Sequence, residues 1–441
     1  MELLSLAVVI IFIIVATVKF KMHPVVSLTL AAMASGFFLG LGPNEIMTSM
    51  ADGFGKTLSS IGLVIAFGTI IGIFLEKTGA TQILANSILS VIGLKRSPLA
   101  LNLAGFVISI PVFCDSGFVI LSSLNKALSS KTGIPRLVFA IALGTGLYAA
   151  HVFVPPTPGP LAAAALLNAD LGTVMLLGLL VAVVVSLAGY FWAMIIGKSL
   201  KEQPDKSATA EVVDAVSNTT IRPIQAFLPL VVPVILIALK SIADYPTKPF
   251  GEATLFQFLQ YIGNPITALL VGVFLAFLLA KDAAATQKNE WIVEALKQAG
   301  LIVLITGAGG AFGAVLRTFD IASLIDLSSA TGKGGLFICF LLAAVLKTAQ
   351  GSSTVAIITT AAIVAPLLAT FDLDTTIGRA LAVLAVGAGA MTVSHINDSY
   401  FWVVSQFSNM NLKTALKGHS VATFLQGVTG LLMVLLLHSL L

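Results

Sequence analysis

The chain has 441 residues, 24 basic against 20 acidic, and a formal charge of +4; apolar types make up 57% and charged types 10%. With a mean hydropathy of +1.03, it carries well under half the roughly 25% charged fraction of soluble proteins. Too few charges remain to cover a water-facing surface, so lipid is the expected solvent. The dispersed basic residues exclude a nucleic-acid patch. Cys114 and Cys339 alone make no disulfide framework. The five histidines form no metal-ligand pair, and no cofactor motif occurs.

In chain order, apolar runs at 3–20, 24–42, 59–76, 137–168, 172–196, 224–240, 262–280, 299–316, 379–407 and 420–440 read as spans. Each fits a hydrocarbon core of roughly 30 Å. The N-terminal run lacks a basic leader and a small-residue cleavage site, so it reads as a retained helix. Two further apolar stretches, 98–124 and 334–370, carry polar clusters in their middles: Cys114-Asp115-Ser116-Gly117 and Gln350-Gly351-Ser352-Ser353-Thr354.

Charge bias decides how these two stretches lie. As re-entrant hairpins, with the N-terminus external, they put most basic residues on the cytoplasmic side, among them Lys95, Arg96, Lys131, Arg136, Lys198 and Lys201. As full crossings they erase the bias. The expectation is an all-α polytopic membrane protein of ten spans and two hairpins, with both termini external. Five spans per half force the halves to insert upside down relative to each other. The expected units are 1–196, a cytoplasmic linker at 197–223, and 224–441. A weak repeat agrees: at an offset of 243, Ile134, Arg136, Ala142, Gly144 and Gly146 meet Ile377, Arg379, Ala385, Gly387 and Gly389.

Two spans are themselves interrupted. His151 to Pro160 holds Pro155, Pro156, Pro158 and Pro160, which cannot complete a helical ladder. Ser394-His395-Ile396-Asn397-Asp398-Ser399 interrupts the other. Open backbone at membrane depth is tolerated only where it lines a cavity or packs on protein. A helix restarted there points free N–H groups at the gap and favours an anion. The candidate binding residues are therefore Ser116, Gly117, Thr157, Gly159, Gly351, Ser352, Ser353, Thr354 and Asn397, hydroxyls and amides among glycines that allow close backbone approach.

Asp115 and Asp398 are the acidic residues expected at membrane depth. They read either as proton carriers or as carboxylates that hold a turn in shape. His151 and His395 read as titrating groups or as satisfied neutral histidines. Lys347, one helical turn before Gln350, reads as snorkelling to the outer face or, as the alternative, as attracting the anion; the first is the expectation. The glycine run 307–313 lies inside a span and reads as helix packing rather than a nucleotide loop. Ser394, His395 and Asp398 are too close in sequence for a catalytic triad, so no enzyme is expected.

The segments Phe113 to Val119, Val154 to Pro160, Gln350 to Ala356 and Ser394 to Asp398 resemble the signature segments of the gluconate permease family, end to end and in order. Thr157 stands where many members have histidine, and Cys114-Asp115-Ser116 replaces an aromatic–acid–Val pattern. The resemblance implies a sugar-acid:proton symporter of the bacterial inner membrane, with a small anion and a proton as partners beside the lipid bilayer. Oligomeric state is left open. Glycerate, D-serine or sodium coupling are the alternatives.

Overall fold

The computed structural model describes all residues except 1–7, 10, 14, 17, 18, 200–220, 244–253, 319–330 and 397. The expected span 3–20 and linker 197–223 fall mostly outside the described residues. The first half comprises α1 Pro24–Phe38, α2 Pro43–Lys77, α3 Ala80–Ile92, α4 Ser97–Ile108, α5 Cys114–Thr132, α6 Arg136–Phe153, α7 Pro158–Leu166 and α8 Leu171–Ser199. The second comprises α9 Pro223–Ala243, α10 Thr254–Ile262, α11 Pro265–Leu279, α12 Ala285–Arg317, α13 Lys333–Gln350, α14 Ser353–Val364, α15 Thr376–Met391 and α16 Ser399–Phe407. It ends with α17 Leu412–Ala415, a π-helical turn Leu416–Ser420 and α18 Val421–Leu440.

Among the described residues, six helical units are long and apolar enough to cross a membrane, or nine if each bent pair is one span. The chain is a multi-pass membrane protein. Hydropathy understated α2 and α12, whose 35 and 33 residues extend past the apolar windows 59–76 and 299–316. Their polar ends, with Glu45 and Asp52 in α2 and Lys288 and Glu290 in α12, continue the helix beyond the stretch a hydrocarbon core selects. Helix α3 was not among the expected spans. It ends at Gly93, whose φ of +86° lets the chain turn through 109° into the next helical segment.

Helices α2 and α12 pack along their lengths, antiparallel. Lys77 pairs with Glu294 at 2.9 Å at one end. At the other, a Cβ on Gly310 would overlap the Thr57 hydroxyl and sit 2.7 Å from the Gly53 carbonyl oxygen. The glycine run in α12 thus serves close helix packing.

Helices α4–α7 and α13–α16 form two sets with matching contacts. Helix α4 packs on α6, and α13 on α15. A Cβ on Gly146 would overlap the carbonyl oxygen of Asn102, and one on Gly389 the carbonyl oxygen of Phe340. The second arms cross over. Helix α5 meets α16, with Phe118 edge-on to Tyr400 at 6.3 Å, and α14 meets α7, where a Cβ on Gly159 would lie 2.9 Å from Ile357.

All four polar interruptions are breaks in helix. They fall between α4 and α5, α6 and α7, α13 and α14, and α15 and α16. Gly351 turns the third with φ +86°. Val393 takes φ +47° in the fourth, a region that β-branched residues avoid and that surrounding contacts must hold in place.

Candidate functional site

Each break starts a new helix, so the first turns of α5, α14 and α16 supply backbone N–H groups to the interior, whereas α7, which opens Pro158-Gly159-Pro160, offers only the Gly159 N–H in its first three positions. Ser352 caps α14 by accepting from Val355 N–H at 3.3 Å, and Asp398 caps α16 by accepting from Tyr400 N–H at 3.0 Å. Thr157 is buried, and its hydroxyl donates to the carbonyl of Val154, so its hydrogen is spent closing its own turn. Gly159 brings α7 against α14: a Cβ there would lie 3.8 Å from the Cα of Thr354. Ser353 is buried, Ser116, Ser352 and Thr354 are half-buried, and Gly117 packs against Leu147. Asn397 lies outside the described residues.

The expectation for Lys347 is corrected. It does not snorkel. The side chain is 1% exposed, and its ammonium donates to the Gly351 carbonyl and, at 2.6 Å, to Asp398 Oδ2. Lys347 sits in the last turn of α13, where the helix end leaves carbonyls without partners and favours a cation. One helical turn separates it from the break, enough for its long stem to reach inward. A basic group thus reaches the polar clusters from one turn before the motif.

Asp398 also accepts from the Ser394 hydroxyl. Ser394 can point back at Asp398 because residues 394–396 are not helical. His395 turns the other way, its Nε2 lying 3.0 Å from the Thr348 carbonyl. The imidazole at Ser394 belongs instead to His419, with Nε2 3.2 Å from the hydroxyl. His419 is fully buried in the π-helical turn, a distortion often found at functional sites. Its sequence position gave no sign of this. Serine stands between acid and imidazole here, which is not a nucleophile–base arrangement.

Aromatic rings enclose the pair. Tyr148 of α6 stacks on Tyr400 of α16 at 5.2 Å, and the Lys347 ammonium lies 6.0 Å from the Tyr148 ring centre. Neither tyrosine was expected. Asp115, in the first turn of α5, is within electrostatic range of Asp398 and Lys347, and its buried Oδ1 has no hydrogen-bond partner among the described residues. His151 faces Phe113 at 6.0 Å, and its buried Nδ1 has no partner among the described residues. The structure thus gathers Asp115, Lys347, Gly351, Ser394, Asp398 and His419, and leaves His395 on the hairpin flank.

A separate cleft of about 760 Å³ opens between α2, α12, the end of α7 and the start of α15, lined by Asp52, Lys56, Asn168, Asp170 and Arg379 among others. Burial favours the neutral form of Asp170, but hydrogen bonds from Ser241 and Thr173 and the nearby Lys240 outweigh it, so its carboxyl lies below the usual range.

The whole chain, residues 1–441, matches the family model of the GntP family permeases. A gluconate permease of Pseudomonas aeruginosa is 33% identical over 99% of this chain and 97% of its own length. A D-serine transporter of Escherichia coli is also 33% identical, over 97% of this chain and 96% of its own length. Among solved structures, the Alcanivorax borkumensis YdaH transporter superposes with a TM-score of 0.59 at 16% identity, covering 91% of this chain and 89% of that one. The chain is a permease rather than an enzyme, and it belongs to the GntP family.

Proposed function

We propose that this chain imports a small hydroxy-carboxylate of the gluconate type across the bacterial inner membrane by proton symport. The observation that carries the reading is the buried Lys347 ammonium beside the N-termini of α14 and α16, next to the Ser394 hydroxyl on Asp398. A carboxylate suits the charge and the N–H groups, and serine and threonine hydroxyls suit the polyol. The gluconate permease relative supports this substrate class, and the D-serine relative supports the second reading, a hydroxylated amino acid. Asp115 and Asp398 are the acidic groups placed to take the proton.

The matched packing at Gly146 and Gly389 supports two inverted repeats, 1–196 and 224–441, joined by a cytoplasmic linker at 197–223, with α4–α5 and α13–α14 as the re-entrant hairpins. Both termini are then external, and the Lys56–Arg379 cleft is the outer approach to the site. Labelling from outside with an impermeant thiol reagent should reach cysteines placed at 371–378 and miss one at Ser130; external labelling at Ser130 would remove the first hairpin.

The deciding experiment is uptake of labelled gluconate, glycerate and D-serine into vesicles, with pH and sodium gradients imposed separately. Acid outside should drive sugar-acid accumulation with no sodium present; accumulation driven by sodium alone overturns the proton reading. Alanine at Ser352, Ser353, Thr354, Thr157 or Asn397 should weaken binding by roughly 0.5–2 kcal/mol each, as a raised apparent KM. Unchanged uptake in all five variants would place the site elsewhere.

A further inference from the structure

The Lys347–Asp398 pair invites a closer reading, which rests on the carboxylate-transport reading above. Asp398 Oδ2 accepts from Lys347 at 2.6 Å and from Ser394, and Oδ1 accepts from Tyr400 N–H. Lys347 has one further acceptor, the Gly351 carbonyl at the break between α13 and α14. Its ammonium therefore joins the hairpin tip to the break before α16, beside two of the new helix N-termini. An anion bound to those N–H groups competes with Asp398 for one ammonium.

The hydrogen-bond directions at Ser394 can be assigned. Ionised Asp398 only accepts, so the Ser394 hydroxyl donates to it and must itself accept from His419. Nε2 of His419 then carries its hydrogen, and Nδ1 is bare; Nδ1 is buried and has no partner among the described residues. The turn that holds His419 also carries the exposed Lys417, at the start of α18, the cytoplasmic end of that helix when the C-terminus is external as proposed above.

We propose that Lys347 is the counter-ion of the transported carboxylate, kept by Asp398 while the site is empty, and that Asp398 takes the driving proton when the substrate claims the ammonium. Empty, Lys347 and Asp398 cancel. Loaded, Lys347 cancels the substrate and Asp398 is neutral. Substrate without proton, or proton without substrate, leaves a net charge in a region of low dielectric, so these half-loaded states are disfavoured. One proton per carboxylate follows.

Discharge runs through Ser394. It reverses loading, in which, with the site open to the outside, a proton bonds to His419 Nδ1, the Nε2 hydrogen passes to Ser394 and the former Ser394 hydroxyl hydrogen passes to Asp398. In the loaded state Asp398 therefore donates to Ser394, and Ser394 donates to a bare His419 Nε2. When the substrate leaves and Lys347 returns, the O–H bond on Asp398 breaks as a new one forms on Ser394. The former hydroxyl hydrogen of Ser394 bonds to His419 Nε2, and the proton on Nδ1 departs to cytoplasmic water. This restores the resting tautomer with one proton released. Among the described residues, the other titratable groups facing the pair include Cys114 and Asp115 from α5, His151 and Tyr148 from α6, and Tyr400 from α16.

The test uses the purified full chain in proteoliposomes with labelled D-gluconate. Asp398→Asn should lose accumulation driven by a pH gradient while labelled-for-unlabelled exchange continues. Adding Lys347→Met to Asp398→Asn leaves no orphan charge, so folding is spared, yet should raise the exchange KM at least about tenfold through loss of a charge-assisted contact. His419→Gln should slow net uptake by at least about tenfold and spare exchange, in which the proton need not leave. The proposal is overturned if the double variant exchanges with the KM of Asp398→Asn, or if Asp115→Asn loses accumulation while Asp398→Asn keeps it. Wild-type protein that neither accumulates nor exchanges gluconate, glycerate or D-serine removes the functional reading and the proposal together.

Discussion

Lys347→Ala should destabilise the purified protein by about 3–5 kcal/mol, because it strands an ionised Asp398 that is 4% exposed. Ser394 and the Tyr400 N–H would remain, but two hydrogen bonds do not replace a counter-charge at that depth. Lys347→Met with Asp398→Asn should recover most of the loss, since removing both charges removes the desolvation cost along with the attraction. Thermal unfolding in detergent reads both. A Lys347→Ala protein that melts with the wild type would mean that Asp398 is not held ionised by this lysine.

Gly146→Val and Gly389→Val should each cost about 3 kcal/mol or more, the upper end for overpacking, because the obstructing atom is a helix carbonyl oxygen rather than a movable side chain. In both cases the first hairpin helix would have to move off the broken span behind it, which also displaces the hairpin tip. The effect should therefore appear in uptake as well as in the melting temperature. Gly300→Ala is the contrast: nothing lies within 4 Å of its Cβ position on α12. It should be neutral or stabilising by about 0.4–1 kcal/mol. A tolerated valine at Gly146 and Gly389 would show that the contacts are looser than the carbonyl positions require.

The site was partly legible in advance. Prolines at 155, 156, 158 and 160 forbid a continuous helix whatever surrounds them, and the Gly351 turn and the polar run 394–399 gave the other breaks in the same local way. Asp115 and Asp398 stood out because carboxylates are rare in apolar stretches. Thr157 shows the limit of that reasoning. Its hydroxyl looked available, but the turn made by its own prolines brings the Val154 carbonyl within reach. His395 shows it again: it adjoins Ser394, and the structure sends it to Thr348 while His419 takes the place beside the hydroxyl.

The sequence by itself determined the solvent, the helical class, the breaks and the kind of residue placed at each one. Those properties follow from composition, ring geometry and hydropathy over a few turns of chain, which need no knowledge of neighbours. Only the tertiary structure decided which charge meets which. Lys347 and Asp398 are far apart in sequence, and His419 reaches Ser394 from a different helix. The energy of such pairs depends on distance and local dielectric, which arise only when the helices pack. The same holds for Gly146 and Gly389: their spacing hinted at a repeat, but the carbonyl oxygens of Asn102 and Phe340 that require glycine there come from other helices.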